Sequence, residues 1–148
     1  MNRHFRVVTA LMLLGWLNTA WALSDLTIPA DSLATSITAT APCDFTYSFN
    51  VCNEGVDSYN GAVELYLWFD PGMVSLACPN VDPPDTILGL SNTFPPGYCE
   101  VISDTWLGLA QGDHSIVAMV DGSCAVLEVN EDNNTRNIPT ACQPADLY

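Results

Sequence analysis

From Leu23 onward the chain reads in short runs of alternating character. The segment D-F-T-Y-S-F-N-V sets Phe45, Tyr47, Phe49 and Val51 on one side and polar residues on the other, a period of two that an extended strand satisfies. A second run sets Val63, Leu65, Leu67 and Phe69 on one face and Glu64, Tyr66 and Trp68 on the other, and a third turns Ile116, Ala118 and Val120 inward. Helical periodicity is absent. Strands are predicted at 25–29, 45–52, 62–69, 86–90, 98–107, 113–120 and 135–139. Turn residues separate them: N-E-G at 53–55, Y-N-G at 59–61, D-P-G at 70–72, F-P-P-G at 94–97, Q-G-D at 111–113 and D-G at 121–122. Seven short strands at this spacing predict an all-β, antiparallel sandwich.

Two aromatic features stand outside the simple pattern. Trp106 shares parity with Tyr98, Glu100, Ile102 and Asp104, so strict alternation exposes it, although a large aromatic near a strand end also suits the closing of one end of a sandwich. Tyr66 and Trp68 lie side by side on the outward face. They form a binding face for a ligand or neighbouring domain, or they are covered by the proline-rich excursion at 71–84.

The first 22 residues belong to no fold. A basic start (Arg3, His4, Arg6), an apolar run at 7–17 and small residues Ala20 and Ala22 form the layout of a secretory signal cleaved after Ala22. That run is shorter than the roughly 20 residues a membrane helix needs, and no transmembrane segment is expected further on. The chain downstream, 23–148, is long enough for one domain, placed at 23–142, with one core. It keeps a single basic residue, Arg136, against all 17 acidic ones. Nucleic acid, which demands clustered Lys and Arg, is excluded as a partner, and anionic membrane surfaces are disfavoured. The expected location is secreted, extracellular, on the cell surface or in the periplasm.

Six cysteines follow the leader: Cys43, Cys52, Cys78, Cys99, Cys124 and Cys142. An even count in an exported chain reads as three disulfides. Cys43 and Cys52 bracket an extended strand and would stand roughly 30 Å apart, so they cannot bond to each other.

The stretch V-D-G-S-C-A-V-L-E-V-N-E-D-N-N-T-R-N-I, 120–138, concentrates the polar chemistry. Asp121, Glu128, Glu131 and Asp132 are calcium candidates, since they supply carboxylate oxygens over a short span, but no D-x-D-x-D-G loop is present. The other reading is a turn in which Asn and Asp side chains satisfy nearby backbone. No G-x-S-x-G, H-E-x-x-H or phosphate loop occurs, and His114 is the one histidine after the leader. No enzyme activity and no cofactor are expected.

Taken together, F-N-V-C-N-E-G, V-E-L-Y-L-W-F-D, G-D-H-S-I-V-A-M-V-D and V-L-E-V-N-E-D-N-N-T resemble CARDB, the cell-adhesion-related domain found in bacteria. The resemblance runs from Asp25 to about Cys142 and implies an immunoglobulin-like β-sandwich in an exported protein. The six cysteines and the excursion at 71–84 depart from the common pattern. The implied function is a non-catalytic adhesion or recognition module presenting loops or a sheet face to a protein or glycan; the alternative is a structural spacer in a longer array. The sandwich favours Cys43 with Cys142 at one pole and Cys52 with Cys124 at the other, leaving Cys78 with Cys99. The ending Q-P-A-D-L-Y, 143–148, resembles the start S-D-L-T-I and suggests a tandem junction or a strand added to a partner's sheet edge.

Overall fold

The computed structural model describes residues 23–37, 42–74 and 82–143. The expected leader, Cys78 and the tail beyond Gln143 lie outside these residues. In chain order the strands are β1 Leu26–Thr27, β2 Ala34–Ile37, β3 Cys43–Asn53, β4 Tyr59–Asn60, β5 Glu64–Phe69, β6 Thr86–Gly89, β7 Thr93–Phe94, β8 Cys99–Leu109, β9 Gly112–Val120 and β10 Thr135–Cys142.

All pairing between these strands is antiparallel. In the first sheet β1 and β2 share one edge of β3, and β8 runs along the other from Cys52↔Cys99 to Cys43↔Leu109. The second sheet has the order β10-β9-β5-β6, and β4 with β7 forms a small ribbon. The result is the antiparallel β-sandwich that the alternation predicts. Pro139 sits within β10, an edge strand, where its missing N–H costs no central ladder bond.

The core lies between the sheets. Phe45, Tyr47, Phe49 and Val51 from β3 meet Leu65 and Leu67 from β5, Ile116, Ala118 and Val120 from β9, and Ile138 from β10, all buried. Trp106 packs on the core side, its ring 4.9 Å from Phe69 and 5.6 Å from His114, and closes one pole. The even positions of β8 therefore face inward, as buried Ile102 confirms, while Val101 and Leu107 are 67% and 69% exposed. Of the two readings of Trp106, the closing of one end of the sandwich is the one its packing matches.

The chain enters beside Leu26, opposite Asn53, and leaves at Cys142, opposite Gly112. Cys142 is bonded to Cys43, at the far end of β3 from Asn53, so entry and exit lie at opposite poles.

Candidate functional site

The polar stretch at 120–138 folds over the pole where the chain enters. Asp121 takes a left-handed conformation (φ 51°) at the end of β9. Its carboxylate accepts the N–H groups of Ala125 at 3.0 Å and Val126 at 2.8 Å, so a buried acid holds the turn that follows it. Burial raises the Asp121 pKa, and these two donors oppose the rise.

Glu128 does the same over a much greater sequence distance. It lies in a parallel bridge with Ser24; its Oε1 accepts the Leu26 N–H at 2.6 Å, and its Oε2 accepts from Asn134 Nδ2. Burial pushes this carboxyl up to about 7, against the pull of both donors. Around it, Asn133 Nδ2 donates to Asp25 Oδ1 at 3.0 Å, Thr27 Oγ1 donates to the Asn133 carbonyl at 3.2 Å, and Arg136 Nη2 donates to the Ile28 carbonyl at 2.6 Å. Asn53, fully buried, completes the pole: its Oδ1 accepts from Asp25 and Gly55, and its Nδ2 donates to the carbonyls of Asp57 and Phe94. These contacts tie the first strand to the last hairpin.

Of the four calcium candidates, Asp121 and Glu128 enter this network while Glu131 and Asp132 are exposed. Among the described residues, no three His, Cys, Asp or Glu side chains are grouped so as to hold a metal ion.

At the opposite pole His114 Nδ1 lies 2.6 Å from Asp70 Oδ2, and Nε2 lies 2.8 Å from the Ala110 carbonyl. Both partners are acceptors, so the geometry suits an imidazolium donating through both nitrogens. The Asp70 hydrogen bond, foremost, raises the His114 pKa. Asp70 is itself fixed at φ 46° with Oδ1 accepting the Ser115 N–H at 2.9 Å. A ring held in this way has no lone pair left for general-base work.

The aromatic pair is placed differently from a binding face. Trp68 is 4% exposed, and its Nε1 donates to the Pro83 carbonyl at 3.1 Å. Tyr66 is half-buried and lies so close to the turn after β9 that a Cβ on Gly122 would stand 2.4 Å from its ring. The end of the proline-rich excursion meets Trp68 at Pro83, in line with the alternative that the excursion covers this residue, while Tyr66 keeps partial exposure.

With this geometry in view, the comparisons are selective. No protein-family model matches the chain, and no curated protein matches it. Solved structures do. The CARDB domain of a Pyrococcus furiosus protein, crystallised in complex with di-metal ions, superposes with a TM-score of 0.65 at 17% identity, covering 85% of this chain and 99% of that one. The solution structure of that domain gives 0.60 at 18%, covering 82% and 96%. A domain described as part of a cell surface protein from Methanosarcina acetivorans gives 0.55 at 16%, covering 81% and 92%. The fold is that of a CARDB domain.

Within this CARDB fold the disulfides secure both poles. Cys43–Cys142 joins β3 to the end of β10 across 99 residues. Cys52 bonds to Cys99, directly opposite it on β8, with Cα atoms 4.0 Å apart. The pairings of Cys52 with Cys124 and of Cys78 with Cys99 are thereby corrected, because β3 and β8 are sheet neighbours. Cys124 is also disulfide-bonded, and Cys78 lies outside the described residues. Sequence reasoning passed over Asn53 and Asp70, although each stands in a turn signal, N-E-G and D-P-G, where a short polar side chain commonly binds backbone.

Proposed function

We propose that this CARDB-type domain is a non-catalytic module of an exported protein of the cell surface or periplasm, which presents the β2–β3–β8 flank to a partner. One observation carries the reading: entry and exit lie at opposite poles, so the flank between them stays accessible when the chain is extended at either end. The cysteine usage supports an oxidising compartment, and among the described residues no helix is long and apolar enough to cross a membrane. The engaged state of His114, Asp121 and Glu128 supports a role without catalysis.

A second reading, a spacer with no ligand of its own, is favoured by the burial of Trp68. Expressing the full chain with its leader and sequencing the exported product tests export, with Leu23 expected as the first residue. Probing protein and glycan arrays with purified 23–148 then separates the two readings. Specific capture supports the recognition module, and uniform silence supports the spacer.

A further inference from the structure

We propose that the outer edge of β8 is a strand-addition site for an extended basic segment of a partner protein, with a Lys or Arg opposite Asp104. The inference rests on the recognition-module reading and names the partner's chemistry.

β8 is 11 residues long, and among the described residues it pairs with β3 alone. The Asn53 N–H donates to the Tyr98 carbonyl at 2.9 Å, which sets the alternation of the ladder. Glu100, Ile102, Asp104 and Trp106 then turn their backbone groups towards β3, and Val101, Ser103, Thr105 and Leu107 turn theirs outward. A long edge without proline or lysine is a template for another strand.

Asp104 decides which strand fits. It is exposed at the centre of the edge, and its Oδ1 accepts the outward N–H of Thr105 at 2.7 Å. A second copy of the chain pairing antiparallel about this centre would set two Asp104 carboxylates against each other, a like-charge contact that opposes self-pairing. A cation meets the opposite situation. Across the ladder from Asp104 lies Tyr47, whose buried hydroxyl has no hydrogen-bond partner. Burial first and the Asp104 charge second push that phenol up to about 12, so the hydroxyl feels the carboxylate. An ammonium or guanidinium on the incoming strand can pair with the exposed Asp104 carboxylate, whose charge already reaches Tyr47. The chain's 17 acidic residues steer a basic partner towards it.

The exposed side chains at the edge extend the pattern. Val101 and Leu107 stand three residues either side of Asp104 on the outer face and offer contacts for apolar residues at the same spacing on the incoming strand. The segment recognised has a basic residue with an apolar residue three positions before it and three after it.

A charge-swapped copy of the full exported chain is the probe. Asp104→Lys supplies a strand of matched length with a basic centre. By sedimentation equilibrium, wild-type chain and the Asp104→Lys variant are each expected to be monomeric alone and to form a 1:1 pair when mixed, weakened as salt screens the charges. Ser103→Pro, which removes an outward N–H and spares the β3 ladder, is expected to abolish the pair, and Val101→Lys to weaken it about tenfold. Thermal melts confirm that each variant folds. Absence of a mixed pair overturns the proposal, as does a pair indifferent to both Ser103→Pro and Val101→Lys. Specific capture on the protein array that survives Ser103→Pro and Val101→Lys overturns this edge while leaving the recognition module standing.

Discussion

Glu128 Oε1 accepts the backbone N–H of Leu26 at 2.6 Å across 102 residues of sequence, and the burial of this carboxyl makes the pole where the chain enters sensitive to pH. Between the ordinary 4.5 and about 7 the folded chain keeps the Glu128 proton and the unfolded chain does not. Its contribution to stability is complete below 4.5 and declines as pH rises through about 7. Glu128→Gln retains an acceptor for Leu26 and removes the titration, so its melting temperature is expected to fall less than wild type's between about pH 5 and 8. Glu128→Ala leaves the Leu26 N–H unpaired and is expected to cost about 1–3 kcal/mol by urea unfolding.

His114 contributes with the same sign through different chemistry. Its pKa is raised above 6.5 by Asp70, so the stabilisation is present below 6.5 and is lost as pH rises through the raised folded value. Asp70→Asn is expected to lower the imidazole pKa read by NMR titration. The gain in stability is small, under about 1 kcal/mol, because the pair is partly exposed to solvent.

Asn53 has all four of its hydrogen-bonding positions in use and no exposed surface. Asn53→Ala strands two N–H groups and two carbonyls, and a loss of about 3 kcal/mol or more is expected in denaturant unfolding. Asn53→Asp keeps the acceptor and loses both donors, and is expected to be destabilised as well.

Non-reducing peptide mapping is expected to recover Cys43–Cys142 and Cys52–Cys99, and by count Cys124 with Cys78. Double serine replacement of Cys43 and Cys142 is expected to cost about 2–5 kcal/mol, and more than replacement of Cys52 and Cys99, because it reopens the longer loop.

Removal of divalent cations tests the calcium reading. With Asp121 and Glu128 committed to backbone N–H groups, chelator is expected to leave the melting temperature unchanged. A drop of several degrees that calcium restores would assign the polar stretch to metal binding.

The strands themselves were legible in the sequence. Alternation in β3, β5 and β9 follows from residues that are adjacent in the chain, each turning successive side chains to opposite faces, so the core set Phe45, Tyr47, Phe49, Leu65, Leu67, Ile116 and Ala118 could be read directly. The parity of β8 could not. Apolar residues occupy both of its faces, Ile102 inside and Val101 and Leu107 outside, because an edge strand is only half enclosed.

What the tertiary structure decided is adjacency. That β3 lies beside β8 is a long-range pairing with no local signal, and it alone brings Cys52 opposite Cys99 and Tyr47 opposite Asp104. The excursion's end reaches Trp68 through the Pro83 carbonyl, which no periodicity marks. The stretch N-E-D-N-N announced polar chemistry, but its partners Ser24, Asp25, Leu26 and Thr27 are about a hundred residues away in the chain. Local patterning sets which way a side chain faces; only the closing of two sheets on one another determines what it meets.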